Sequence, residues 1–345
     1  MSYFCIGLVR GYSAPAIPSI KEIDFDLLPT KDIASGASKI WLIKRKILFQ
    51  LHKLAKLFFQ IGSIAPAGAF AGSLVAGPLM HFISRKYTIL TAATIWVISW
   101  ILIASATYWP VLLAGRVLSG FCVGLTLPSA QIYAITECTD PKIRGIIGSF
   151  PSIAMSGGIL TCYILGSFLS WYNLALQINF KLAVFLTLIM ITMPRSPVWL
   201  RSKNLKKEAE KSSRWLGLEN IPESGRRSFP QKHASNENHH SWKTITSRPV
   251  LMPLTIGLTL LAIQQLSGID SIIFFTVEIF RSSVSLIVFM VGFSFGFGSI
   301  PYLLMGEIFP AAQRSLLSSI AGSMNFGIMF LVIKTYHPLG THNEQ

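Results

Sequence analysis

The stretch Gln264-Gln265-Leu266-Ser267-Gly268-Ile269-Asp270 sets two adjacent amides, a hydroxyl and a carboxylate inside an apolar run from Val250 to Phe280. An amide offers a donor and acceptors together, which is what sugar hydroxyls need. Unpaired polar groups at such depth cost several kcal/mol each, roughly, so they face a protein interior or a wet cavity. A second pattern is built of charge. Six residues separate Glu137 from Arg144, and Ser149 follows five later; Glu307, Arg314 and Ser319 repeat the spacing 170 residues on. Each copy joins the inner end of one apolar run to the start of the next, where a loop ion pair can form. No catalytic triad, phosphate loop or metal motif accompanies these groups. His239-His240 are two histidines without further ligands and read as solvated loop.

The elements that must position this chemistry are membrane helices. The chain has 345 residues, 51% hydrophobic and 13% charged, with a mean hydropathy of +0.53. Soluble domains carry about 25% charged residues. Here long apolar blocks alternate with short basic ones, which excludes a soluble domain and indicates a polytopic helical membrane protein. The net charge of +15 belongs to cytoplasmic loops and not to a nucleic-acid interface. Cys5, Cys122, Cys138 and Cys162 show no paired spacing and read as packing residues. No cleavable signal is evident.

Clear spans are expected at 57–82, 87–108, 111–135, 146–169, 173–193, 250–280, 284–305 and 316–336. Residues 3–20 form a weaker first span. Pro15 and Pro18 break its second half, and Arg10 reads as a snorkelling cation or the mark of a failed span. The segment 194–249 carries 12 Lys/Arg against 5 Asp/Glu. Basic loops inside place 84–86, 137–144, 194–249, 307–314 and the N-terminus in the cytoplasm. The lysine-rich segment 21–57 breaks this alternation. Its part 40–57 reads as a basic amphipathic helix, so either span 1 does not cross or the segment is an insertion.

GYSAPAIPSI (11–20), AGRVLSGFCVG (114–124), ECTDPKIRG (137–145), MPRSPVWL (193–200), QQLSGID (264–270), GFGSIPYLLMGEIFP (296–310) and SSIAGSMNF (318–326) occur in this order. Together they resemble a sugar porter of the major facilitator superfamily, in particular its facilitated trehalose transporter-like branch. The resemblance implies an all-α membrane protein, a major facilitator-type bundle of two pseudo-repeated halves with about nine of the twelve helices present. Residues 1–193 would be the N-terminal six-helix half, 194–249 a cytoplasmic basic loop, 250–336 an incomplete C-terminal half and 337–345 a tail. The equivalents of helices eight and nine are missing at Ser283/Val284, and nothing after Tyr336 matches the twelfth.

The resemblance assigns Gln264, Gln265, Asp270, Tyr302 and Asn325 to a sugar. It assigns Arg85, Arg116, Glu137, Arg144, Glu307 and Arg314 to a gating charge network. Departures from the family pattern are specific. Asp270 and Tyr302 stand where asparagine and tryptophan are usual, and Ser152 replaces a fifth-helix glutamine. In the basic turn, usually acid-Arg-x-Gly-Arg, His81, Phe82 and Ser84 replace the first, second and fourth residues. Arg195 and Val198 replace the acid and the arginine of the signature after the sixth helix. The implied function is facilitated diffusion of trehalose or a hexose across the plasma membrane by alternating access. Such a chain is no enzyme, needs no cofactor or metal, and has a small-molecule sugar and the lipid bilayer as partners, with the oligomeric state open. Two alternatives stand beside it: a degenerate, non-transporting relative or fragment, and proton-coupled symport through Asp270.

Overall fold

This computed structural model describes residues 1–23, 62–137, 144–217, 248–274, 301, 304–305, 308–310 and 313–341. Regular structure among them is helical throughout. In chain order the helices are α1 (Ser2–Ile23), α2 (Gly62–Phe82), α3 (Arg85–Ala104), α4 (Trp109–Gln131), α5 (Arg144–Gly166) and α6 (Trp171–Thr192). Two short loop helices follow, α7 (Pro197–Ser202) and α8 (Lys206–Trp215), and then α9 (Arg248–Leu266), α10 (Ile269–Phe274) and α11 (Arg314–Thr341). Among the described residues, five segments are long and apolar enough to cross a membrane: Gly62–Phe82, Arg85–Ala104, Trp109–Ala134, Trp171–Thr192 and Arg314–Thr335. The stretch 40–57, the span expected at 284–305, most of the long basic loop and the end of the tail lie outside the described residues.

Backbone contact through glycine holds the first half together. A Cβ on Gly68, Gly72, Gly120 or Gly124 would come within 2.2, 2.1, 2.0 or 2.1 Å of a carbonyl oxygen on the facing helix, so α2 and α4 touch main chain to main chain. The α1–α5 seam is built the same way. A Cβ on Gly7 would lie 2.1 Å from the Met155 carbonyl oxygen, and one on Gly158 2.3 Å from that of Phe4. Lipid tails are as apolar as leucine, so helices in a membrane associate by close packing and interhelical hydrogen bonds, and small residues permit both. On α3, Ser99 donates to the Gly115 carbonyl at 2.9 Å.

The expected break of the first span at Pro15 and Pro18 does not occur: α1 runs unbroken through both prolines. Neighbouring elements hold this part of α1 from outside. Tyr12 donates to the Trp171 carbonyl at 3.0 Å, Ser19 Oγ accepts from the Trp171 amide at 3.2 Å, and Pro15 packs on Gly166.

Two seams join the second half to the first. At one, Ser73 on α2 donates to the Ser319 carbonyl on α11 at 3.0 Å, with Gly77 against Ser319 and Gly322 against Ser73. At the other, α10 lies on α1 and α5, with Ile159, Ile269 and Ile273 packed together and Tyr163 donating to the Ile273 carbonyl at 2.6 Å. Leu254 and Leu261 of α9 pack on Leu317 and Ala321 of α11.

The turn between α2 and α3 carries strain. Ser84 has φ 93° and ψ 158°, a region that is essentially glycine's alone. Its hydroxyl is buried and has no hydrogen-bond partner among the described residues. This is the position where the resembled pattern has glycine. Ser84→Gly relieves both defects and is expected to raise the melting temperature of the purified chain, since such strain costs on the order of 1–3 kcal/mol. The seams predict opposite fates for two alanines. Gly120→Ala drives a methyl into the Ala65 carbonyl and is expected to abolish a monodisperse, cooperatively melting protein. Gly157→Ala, whose Cβ would meet only Phe4 Cε2 at 3.7 Å, is expected to be tolerated in the same assay.

Candidate functional site

The polar band of the QQLSGID stretch is buried. Gln264, Gln265 and Asp270 are 6%, 2% and 1% exposed, and Asn325 on α11 is 1% exposed. Chain direction explains how they assemble. α9 ends at Leu266, Gly268 takes a positive φ of 76°, and α10 starts at once, so Asp270 falls in a first helical turn angled away from α9. One turn before that break, Gln265 Nε2 donates to Asn325 Oδ1 at 2.9 Å, tying α9 to α11. Gln265 Oε1 has no partner among the described residues, so one acceptor of the pair stays open. Tyr302 lies outside the described residues.

Asp270 is engaged by a residue that the sequence reading placed elsewhere. Arg10 does not snorkel. Its Nη2 forms an ion pair with Asp270 Oδ1, and Nη1 points at Met155 Sδ, 3.4 Å away. A lone buried cation and a lone buried acid in apolar segments are natural partners in a low dielectric, and that expectation would have found the pair. Arg10 also lines a small, mostly apolar pocket between α1, α2, α4 and α11.

Arg116 sits inside the first half. It is 0% exposed, donates to Ser13 Oγ and to the Val9 carbonyl (3.3 Å), and lies 5.2 Å from the Tyr12 ring centroid. Among the described residues its partners are therefore on α1. Glu307 lies outside the described residues, as do the side chains of Glu137 and Arg144. Arg314 donates from Nε and Nη2 to the Phe309 carbonyl at 3.3 and 3.1 Å. Arg85 opens α3 at the strained turn.

The inner end of the first half holds contacts at the positions that depart from the family pattern. Arg195 stands 5.1 Å from the Tyr87 ring centroid, donates to the Tyr87 hydroxyl at 3.0 Å and pairs with Glu208 at 3.5 Å. Lys86 donates to the Ile191 carbonyl at 2.9 Å, and Trp199 Nε1 to that of His81 at 3.3 Å. Ser196 caps α7 by accepting from the Trp199 amide at 3.2 Å. A cation replaces an acid in the signature after the sixth helix, and it is answered by an aromatic face and a different acid.

Comparison with known proteins places these features. The family model described as Sugar (and other) transporter matches residues 29–285 and 282–343. The two matched pieces meet at the Ser283/Val284 junction, and the first begins within the basic segment 21–57. A facilitated trehalose transporter of Apis mellifera ligustica is 31% identical over 420 residues, covering 99% of this chain and 78% of its own length. One of Anopheles gambiae is 30% identical over 407 residues, covering 96% of this chain, which spans 48% of that relative's length. These aligned regions exceed the 345 residues of the chain, so the relatives carry internal segments that it lacks. Among solved structures, the proton:xylose symporter XylE bound to 6-bromo-6-deoxy-D-glucose matches with a TM-score of 0.75 at 16% identity, covering 99% of this chain and 87% of that one. The inward-open xylose transporter XylE of E. coli matches with a TM-score of 0.70 at 17% identity, covering 97% of this chain and 88% of that one. These likenesses establish the major facilitator bundle, and with the apolar helices they make the chain a multi-pass membrane protein.

The amide pair gives a direct test. Interhelical hydrogen bonds in membranes are worth on the order of 1 kcal/mol. Gln265→Leu and Asn325→Leu are each expected to lower the melting temperature, and the double variant to lose less than the sum. Strict additivity would show that the two amides do not interact.

Proposed function

The chain belongs to the sugar (and other) transporter family, and from that premise we propose that it carries a sugar down its gradient by alternating access. The observation that carries this reading is the buried Gln265–Asn325 pair between two membrane helices, with one amide oxygen open. Sugar hydroxyls would complete that pair, with Gln264, Asp270 and Tyr302 as the other contacts. The two halves would rock around the bound sugar, and charge pairs among Glu137, Arg144, Glu307 and Arg314 would close the inner face. Trehalose, the sugar in the relatives' names, is the first substrate to try, and a hexose the second. The basic excess of 194–249 supports a cytoplasmic position for that loop and for the N-terminus, with the plasma membrane as the site.

The electrostatics favour diffusion without proton coupling. α1 carries no acid before Glu22 at its far end. Arg116, the buried cation of α4, is answered on α1 by a hydroxyl and a carbonyl. Asp270 is held by Arg10. A second reading, a sugar-binding relative that does not transport, is supported by the internal segments that longer relatives have and this chain lacks.

Reconstituted vesicles separate the readings. We expect saturable trehalose or hexose uptake that stops at equilibrium and ignores an imposed pH gradient. The Gln264→Ala/Gln265→Ala variant is expected to lose it. Unchanged uptake in that variant would remove the site assignment. Accumulation driven by an inward proton gradient would establish symport, and saturable binding without uptake would establish the second reading.

A further inference from the structure

The Arg10–Asp270 ion pair crosses between the halves. Arg10 belongs to α1, which the glycine seam fastens to α5. Asp270 belongs to α10, which is joined to α9 only through Ser267-Gly268. Gly268 has a positive φ and, among the described residues, open space around its would-be Cβ. The arginine of the pair also borders the pocket, with Val9, Ala69, Val123, Phe326 and Met329 in the wall. The side chains of Arg10 and Asp270 are 16% and 1% exposed.

Two further atoms matter. Asp270 Oδ2 and Arg10 Nε are buried and have no hydrogen-bond partner among the described residues. A hydroxyl donates to a carboxylate and accepts from a guanidinium. A polyhydroxylated ligand can therefore occupy both open positions and then take the place of each charge's partner. Without such a ligand or water, parting the charges strands two ions in an apolar interior.

We propose that Arg10–Asp270 is a latch that shuts the solute path in the empty protein, and that a sugar opens it by replacing Arg10 at Asp270 as α10 swings about Gly268. Arg10 is thereby a positioning residue for transport, competing with the solute for the carboxylate. The proposal rests on the transporter reading for its sugar and on geometry alone for its latch, and the two can be tested apart.

The probe is Ala69→Cys, a wall position now 2% exposed. Its labelling by a cationic methanethiosulfonate is measured on the full chain in detergent, over the rate of the chain without it. The comparison is with the same probe in the neutral pair Arg10→Leu/Asp270→Asn, which leaves no stranded charge. We expect labelling about tenfold faster in the neutral pair, the effect of losing a coupling of the usual size. An unchanged rate overturns the latch, whether or not the chain transports. In vesicles, Arg10→Leu alone is expected to cut uptake by about tenfold or more and the neutral pair to recover most of it. Recovery supports the latch, and an equal loss in both overturns it. A chain that takes up no sugar yet labels faster as the neutral pair overturns the transporter reading and supports the latch as a closure.

Discussion

The main-chain contact of α2 with α4 and of α1 with α5 is the constraint on which the rest depends. Glycine at Gly68, Gly72, Gly120 and Gly124 lets two helices meet at carbonyl distance, and Gly7 and Gly158 do the same for the second pair. α1 and α4, one from each seam, lie side by side. The Arg116 guanidinium of α4 spends its donors on α1. The α2–α4 seam leaves α2 a face for α11, where Ser73 reaches the Ser319 carbonyl. Widening either seam by a methyl would displace the polar contacts that unite the halves.

Three buried polar groups of the interior are each answered by a helix other than their own. Gln265 meets Asn325 from α9 to α11, Arg10 meets Asp270 from α1 to α10, and Arg116 meets Ser13 from α4 to α1. In water these contacts would compete with solvent. Within an apolar slab they carry specificity, because any other pairing of the helices leaves a donor or a charge without an answer. Open capacity remains at Arg10 Nε and Asp270 Oδ2, where the halves meet, and elsewhere among the described residues at Gln265 Oε1, Arg116 Nε, Trp96 Nε1 and Thr126 Oγ1.

Much of the fold was legible in the sequence. Apolar blocks of spanning length and the repeated Glu-Arg spacing carry the two-half plan, and the motif order carries the family. Burial of Gln264, Gln265 and Asn325 was legible because amides inside an apolar run have nowhere else to go. What escaped depended on which side of a helix a residue faces. Pro15 and Pro18 looked like breakers because the chain does not reveal that Gly166 packs against Pro15 and that Tyr12 and Ser19 bond to Trp171. Arg10 looked misplaced because its partner is 260 residues away. Arg195 looked like a loss because replacing an acid with a cation removes one network, while the aromatic face of Tyr87 that receives it lies on another helix.

The Arg10–Asp270 pair has a consequence for inheritance. The resembled pattern has a neutral amide at the position of Asp270, and a guanidinium on α1 facing a neutral amide is a buried charge with a dipole for company. A carboxylate there facing an aliphatic side chain is worse. Neither residue is tolerable for long without the other, so the two codons behave as one heritable unit, lost or kept together. A descendant of this chain that returns to a neutral residue at 270 would be expected to shed the arginine at 10 as well.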